Sequence, residues 1–234
     1  MIASPLDYLS TVALTAGAHP PGGAVCAMEA LALALGCPHS DCPPCTDAPL
    51  AAAFRAVNDW SGWRNDEART AFLRPYMMRL GRLALDGRHA PATAYAYAAA
   101  DVACRLIAPM ALDAAGVGKA AATLLGLAPV VGGVTARAAA TAATATATAA
   151  AAYAATATAA YAAYAADAAT YADADAATVA TATAATAYAA DAATYAAAAD
   201  AATYAAAAKP LLDRLLDVCE AGCWPLPDNS ERAE

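Results

Sequence analysis

The strongest constraint on the fold is an alanine-rich tract that covers residues 138–208. Its 71 residues comprise 45 Ala, 13 Thr, 7 Tyr, 5 Asp and 1 Val, with no Gly, Pro, Lys or Arg. Alanine has the highest helix propensity and the helix breakers are absent, so the tract is expected to be helical. Threonine weakens this preference because its branched β-carbon restricts the side chain.

Within the tract, the pattern Asp-Ala-Ala-Thr-Tyr and close variants recur at steps of eight, eight, eight and nine residues, starting at Asp167. Eight residues advance about 80° around a helix, so the repeat does not hold one face. Replication slippage followed by drift would produce the same pattern without selection. Two functional alternatives are an ice-binding helix, with threonines eleven residues apart as in Thr170 and Thr181, and a self-association surface of small residues and tyrosines.

The tyrosines of the tract predict a bend in this helix. One helix face is expected to carry Tyr153, Tyr164 and Tyr171, and a face rotated by roughly 120° carries Tyr188 and Tyr195. Weak helix formers are densest over residues 173–183, between the two sets. A fold-back there would turn both sets inward, so a helical hairpin or bent bundle is predicted.

The charge of the chain disfavours two classes of partner. The 234 residues have a formal net charge of −8, whereas nucleic-acid binders and proteins on anionic membranes carry basic surfaces. No nucleic-acid partner and no membrane association are therefore expected. The first residues do not resemble a secretory signal, and seven cysteines without a secretory context indicate a cytoplasmic protein with reduced thiols.

Before the tract, apolar residues at helical spacing and breakers between them predict a small all-α domain. Helices are expected over 24–35, 48–60, 66–85, 92–112 and 119–127, with a kink or division at Pro75. The predicted organisation is an irregular segment over 1–23, a helical domain over 24–130, the tract over 138–208, and an amphipathic helix and tail over 209–234.

Four residues form a candidate zinc site: Cys26, His39, Cys42 and Cys45. Cys42 and Cys45 make a C-x₂-C pair, which suits two thiolates on one tetrahedral Zn²⁺, and Cys26, Cys37 or His39 would complete the site. The alternative is that Cys26 is a small buried apolar residue and that the loop thiols are free. A redox role for Cys42 and Cys45 would need a βαβ context, which the pattern does not show.

Four short segments carry a resemblance to a known group: Cys26-Ala-Met28-Glu29, Ser40-Asp41-Cys42-Pro43-Pro44-Cys45, Asn58-Asp59 and Leu73-Arg74-Pro75-Tyr76. In this order they are similar to an uncharacterised group of bacterial and phage proteins. The resemblance covers roughly residues 22–110 by motif and the rest by composition. It implies a Cys-containing helical N-terminal domain followed by a variable alanine-rich tract, and it implies no activity. In that group, histidine often stands where this chain has Cys42.

These observations predict a structural or protein-interaction role, with self-association through the alanine-rich helices. No P-loop, dinucleotide fingerprint or nucleophile elbow is present, so no catalytic residue is assigned. The first alternative is a metal- or thiol-dependent enzyme that uses Cys26, His39, Cys42 and Cys45. The second alternative is the ice-binding helix.

Overall fold

The computed structural model describes residues 4–114, 116–152 and 201–223, and these residues form helices and connecting loops without a β-strand. In chain order the helices are α1 (Pro5–Thr11), α2 (Ala27–Leu35), α3 (Ala48–Asp59), α4 (Asp66–Leu85), α5 (Ala92–Val102), the π-helix π1 (Ala103–Ile107), α6 (Ala108–Ala114), α7 (Gly118–Leu125), α8 (Gly133–Ala152) and α9 (Ala201–Ala221). The predicted all-α class is confirmed. The predicted bend and the threonine rows fall on residues 153–200, outside the described residues.

Local signals explain where the early helices begin and end. Helix α2 ends at Gly36, which adopts a left-handed φ of 70°, and glycine reaches this conformation without a steric penalty. Helix α4 begins after Asn65, whose side chain accepts a hydrogen bond from the Ala68 N–H at 2.9 Å. The kink or division predicted at Pro75 does not divide α4, which continues to Leu85.

Asp47 stands at the N-cap of α3, but its carboxylate makes no capping hydrogen bond. Instead the carboxylate accepts hydrogen bonds from the Tyr95 hydroxyl at 2.6 Å and the Ala90 N–H at 3.1 Å, and it lies 2.7 Å from His89 Nδ1. Tertiary partners therefore replace the local cap and tie the start of α3 to α5.

The helix predicted over 92–112 contains a π-helical turn, π1, between α5 and α6. Just before it, the Asp101 carboxylate accepts hydrogen bonds from Arg105 Nη1 and from the Val130 N–H, both at 2.9 Å. A π-turn inserts an extra residue into the helix and changes the direction of the side chains that follow.

The N-terminal segment, expected to be irregular, contains helix α1 over Pro5–Thr11. Pro5 is accommodated in its first turn, where no intrahelical N–H bond is lost. Leu9 is buried against α4, and a β-carbon at Gly81 would lie 2.6 Å from the Leu9 Cδ1 atom. Glycine at that position therefore permits the close approach of α1 to α4.

Helix α9 packs against α3, α4, α5 and π1, so it contributes to the same hydrophobic core as the early helices. Its apolar face is fully buried through Leu211, Leu212, Leu215, Leu216 and Val218. The amphipathic segment predicted after Lys209 thus lies within a longer helix, which starts inside the alanine-rich tract. Among the described helices, none is both long and apolar enough to cross a membrane.

We expect Leu215→Ala to lower the free energy of unfolding by about 3 kcal/mol, because it removes buried methyl groups and leaves a cavity. The matched control is Leu85→Ala, since Leu85 is 52% exposed and its truncation should cost within about 0.5 kcal/mol. Urea denaturation followed by circular dichroism measures both. An equal decrease in the free energy of unfolding for the two variants would contradict the burial of α9.

Candidate functional site

The carboxylate of Glu29 lies at the centre of a buried polar cluster near the start of α2. Only 1% of the surface of Glu29 is exposed to solvent. Its two oxygens accept hydrogen bonds from the His19 N–H at 2.7 Å, the Cys26 N–H at 2.8 Å and His19 Nδ1 at 2.9 Å. Burial by itself raises the pKa of Glu29, but these hydrogen bonds outweigh burial and lower it. The carboxylate is therefore charged at neutral pH.

The imidazole of His19 connects this carboxylate to a hydroxyl group. His19 Nδ1 faces Glu29, and His19 Nε2 lies 3.0 Å from the Thr15 Oγ1 atom. An ionised carboxylate only accepts hydrogen bonds, so His19 Nδ1 carries a proton, and Nε2 is the ring nitrogen that faces the hydroxyl. Thr15 Oγ1 also lies 3.2 Å from the Val25 carbonyl oxygen, so its single proton has two acceptors.

His39, one of the four predicted zinc ligands, joins the other side of the cluster. Its Nε2 donates to the His19 carbonyl oxygen at 2.8 Å and lies 3.6 Å from Glu29 Oε1. His39 Nδ1 is buried and has no hydrogen-bond partner among the described residues. The Cys-rich loop is thereby attached to the loop that precedes α2.

Side chains at the end of helix α3 also fix the loop that contains Thr15. Asn58 Nδ2 donates to the Thr15 carbonyl oxygen at 2.8 Å, and Asn58 Oδ1 accepts from the Ala27 N–H at 3.2 Å. Asp59 accepts from the Gly17 N–H at 2.7 Å. The hydroxyl, the imidazole and the carboxylate are therefore positioned by two loops and two helices.

The structure does not bring the four predicted zinc ligands together. Cys26 is buried at the N-cap of α2, whereas Cys42 is exposed. Cys45 is half-buried and its thiol interacts with the thiol of Cys37. No group of three or more His, Cys, Asp or Glu side chains suited to a metal ion occurs within residues 4–114, 116–152 and 201–223. Zinc binding by Cys26, His39, Cys42 and Cys45 stays a prediction.

Burial suppresses the reactivity of several thiols. Burial raises the pKa of the Cys26 thiol to about 11, and it raises the pKa of the Cys104 thiol to about 12. Burial, followed by the hydrogen bond and charge of Cys37, raises the pKa of Cys45 to about 12. Since the thiolate is the nucleophile, these three thiols are poor candidates for thiol chemistry at neutral pH.

Sequence reasoning missed Thr15 and His19 as members of this cluster. The separation of Cys26 and Glu29 is that of a capping box, in which the third helical residue bonds back to the N-cap N–H. That signal alone could have placed the Glu29 carboxylate at the start of α2. Nothing local in the sequence indicates that the turn around Pro20 returns His19 to the same carboxylate.

A second feature is an apolar groove between π1, α6 and α7, with a volume of about 540 Å³. Its lining includes small residues on α7, the apolar side chains Leu106, Met110 and Leu125, and Pro210 of α9. These three large side chains are 38%, 41% and 57% exposed. Arg105 also lines the groove, and its Nε atom is buried without a hydrogen-bond partner in the described part of the chain.

Comparison of the chain with protein-family models, with curated proteins and with solved structures gave no match. The resemblance to bacterial and phage proteins stays a prediction.

We expect Glu29→Gln to lower the free energy of unfolding by about 2 kcal/mol at pH 7, because it removes charge-assisted hydrogen bonds in a buried site. The folded-state pKa of Glu29 lies below its unfolded value of about 4.3. The stabilisation of the fold by the Glu29 carboxylate is thus fully present above the unfolded-state pKa, and it is lost as the pH falls through the folded-state pKa. Urea titrations at several pH values between 7 and 3 measure the free energy of unfolding of the wild type and of Glu29→Gln. The difference between these two free energies should disappear at low pH.

The control for this variant is Glu67→Gln, because Glu67 is exposed in the first turn of α4. Removing its charge should change the free energy of unfolding by less than about 1 kcal/mol. A Glu29→Gln variant as stable as the control would contradict the role assigned to the buried carboxylate.

We expect maleimide to modify Cys42 at least ~10-fold faster than Cys26 or Cys45 at pH 7.5. Cys42 is exposed, whereas Cys26 is buried, Cys45 is half-buried, and both of these thiols have raised pKa values. Peptide mass spectrometry gives the rate at each cysteine. Repeating the reaction with and without a chelator tests the zinc prediction, since bound zinc would protect Cys42 and Cys45 together. Elemental analysis would then find about one Zn²⁺ per chain.

Proposed function

We propose that this chain is a protein-interaction module that associates with a second copy of itself through the groove between π1, α6 and α7. The observation that carries the proposal is the exposure of Leu106, Met110 and Leu125 around one concave surface. Clustered exposed apolar side chains are typical of interaction sites, whereas singly scattered ones are normal on any surface.

The lining of the groove suits an alanine-rich helix as its occupant. Gly118, Ala121 and Ala122 form part of the wall, and small residues allow a second helix to approach closely. The second copy supplies such a helical surface, because helix α8 contains the start of the alanine-rich tract. Self-association through these helices was the function predicted from the sequence.

The charge of the groove suits the same occupant. Arg105 and Asp113 both line the groove, so their formal charges cancel. Residues 138–152 of α8 contain no charged side chain. The proposed contact is therefore apolar and places no unpaired charge from this part of α8 in the groove.

We expect Leu125→Glu to weaken self-association at least ~10-fold, because a buried leucine contributes about 1.5–3 kcal/mol and each 1.4 kcal/mol is a factor of ten. Leu85→Glu is the matched control, since Leu85 is exposed but does not line the groove. Sedimentation equilibrium measures the mass of each protein over a range of concentrations.

The wild type and Leu85→Glu should show the same concentration-dependent dimer, and Leu125→Glu should remain monomeric at those concentrations. A wild-type protein that stays monomeric at roughly 100 μM would overturn the proposal. So would equal weakening by the two substitutions, because a groove contact requires Leu125 to matter more than Leu85.

A further inference from the structure

We propose that Thr15, His19 and Glu29 form an acyl-transfer site, in which the Thr15 hydroxyl is the nucleophile for a short, uncharged acyl ester. This proposal goes beyond self-association and does not depend on the groove. It rests on the three-membered chain of contacts in which Thr15 Oγ1 lies 3.0 Å from His19 Nε2 and His19 Nδ1 lies 2.9 Å from Glu29 Oε2.

The order of the atoms is the one that nucleophilic catalysis requires. A hydroxyl contacts the base nitrogen of an imidazole, and a carboxylate holds the opposite nitrogen in the protonated form. Glu29 is fixed by the backbone N–H groups of Cys26 and His19, so the carboxylate cannot turn away from the ring. Nδ1 is therefore the ring nitrogen that keeps its proton, and Nε2 is the one placed to exchange a proton with the hydroxyl.

The residues around the proposed site are partly exposed to solvent. Thr15 and His19 are half-buried, and the neighbouring residues Ala16, Ala18 and Pro20 are exposed. Apart from His19, the loop over 16–24 consists only of Ala, Gly and Pro. This loop offers no charged side chain to bind an ionic group and only small side chains to contact a substrate, which favours a short, neutral acyl group.

The reaction balances without any cofactor. Thr15 Oγ1 attacks the carbonyl carbon of the ester while its proton passes to His19 Nε2. The carbon–oxygen bond to the leaving group then breaks, and the leaving alcohol takes that proton. Water attacks the acyl-threonine, again with transfer of a proton to Nε2, and the acid leaves as Thr15 Oγ1 regains its proton.

A fluorophosphonate probe tests the site in the full chain, because it reacts with activated hydroxyl groups. Thr15 Oγ1 would form a bond to phosphorus, fluoride would leave, and the hydroxyl proton would pass to His19 Nε2. Mass spectrometry of the digested protein identifies the labelled residue and gives its rate of labelling. We expect the wild type to be labelled at Thr15.

The variants separate catalysis from structure. Thr15→Ser keeps a hydroxyl and should retain labelling at residue 15, whereas Thr15→Val should abolish it. His19→Gln should slow labelling roughly 100-fold, which is the range expected for loss of a general base. Thr11→Val is the control, because the Thr11 hydroxyl bonds only to backbone carbonyls of α1, and it should label like the wild type.

Circular dichroism shows whether each variant is folded. If Thr15→Val is unfolded, the labelling rates of Thr15→Ser and His19→Gln still test the proposal. An unlabelled wild type would overturn the proposal. So would a labelling rate at Thr15 that His19→Gln leaves unchanged, because the cluster would then only fasten the loop to α2.

Discussion

The fold depends on the burial of the leucine-rich face of α9 against helices from the first half of the chain. Alanine supplies many of the buried positions and buries little area per residue, so large side chains have to provide the remaining core volume. Leu211, Leu212, Leu215 and Leu216 are fully buried and contribute that volume from the far end of the chain. Arg79 on α4 reinforces the packing, since it contacts Asp217 and Glu220 at 2.6 Å.

A buried charge organises the start of α2 and the loop that precedes it. The Glu29 carboxylate would be costly in an apolar interior unless hydrogen bonds replaced the water it loses. Here two backbone N–H groups and the His19 ring supply them. The same bonds that make the carboxylate tolerable also fix the imidazole beside Thr15. Structural stability and the proposed chemistry therefore depend on one set of contacts.

Much of the helical layout could be predicted because its signals are local. Gly36 stops α2, Asn65 begins α4, and the predicted limits 66–85 agree with Asp66–Leu85. The distant partners of Asp101 and Asp47 could not be predicted, because they lie about 29 and 43–48 positions away in the sequence. The candidate zinc ligands are close in sequence, but the start of α2 buries Cys26 while Cys42 remains exposed. Spacing alone therefore did not indicate their placement.

By itself, the sequence determined the helical class and most helix ends, because propensity, capping residues and prolines act over a few neighbouring residues. It also determined the alanine-rich character of the tract, which is a matter of composition. The tertiary structure alone decided that α9 completes the core and that Thr15, His19 and Glu29 meet. Those contacts depend on the path of the chain through loops, and no local preference specifies how two distant segments are brought together.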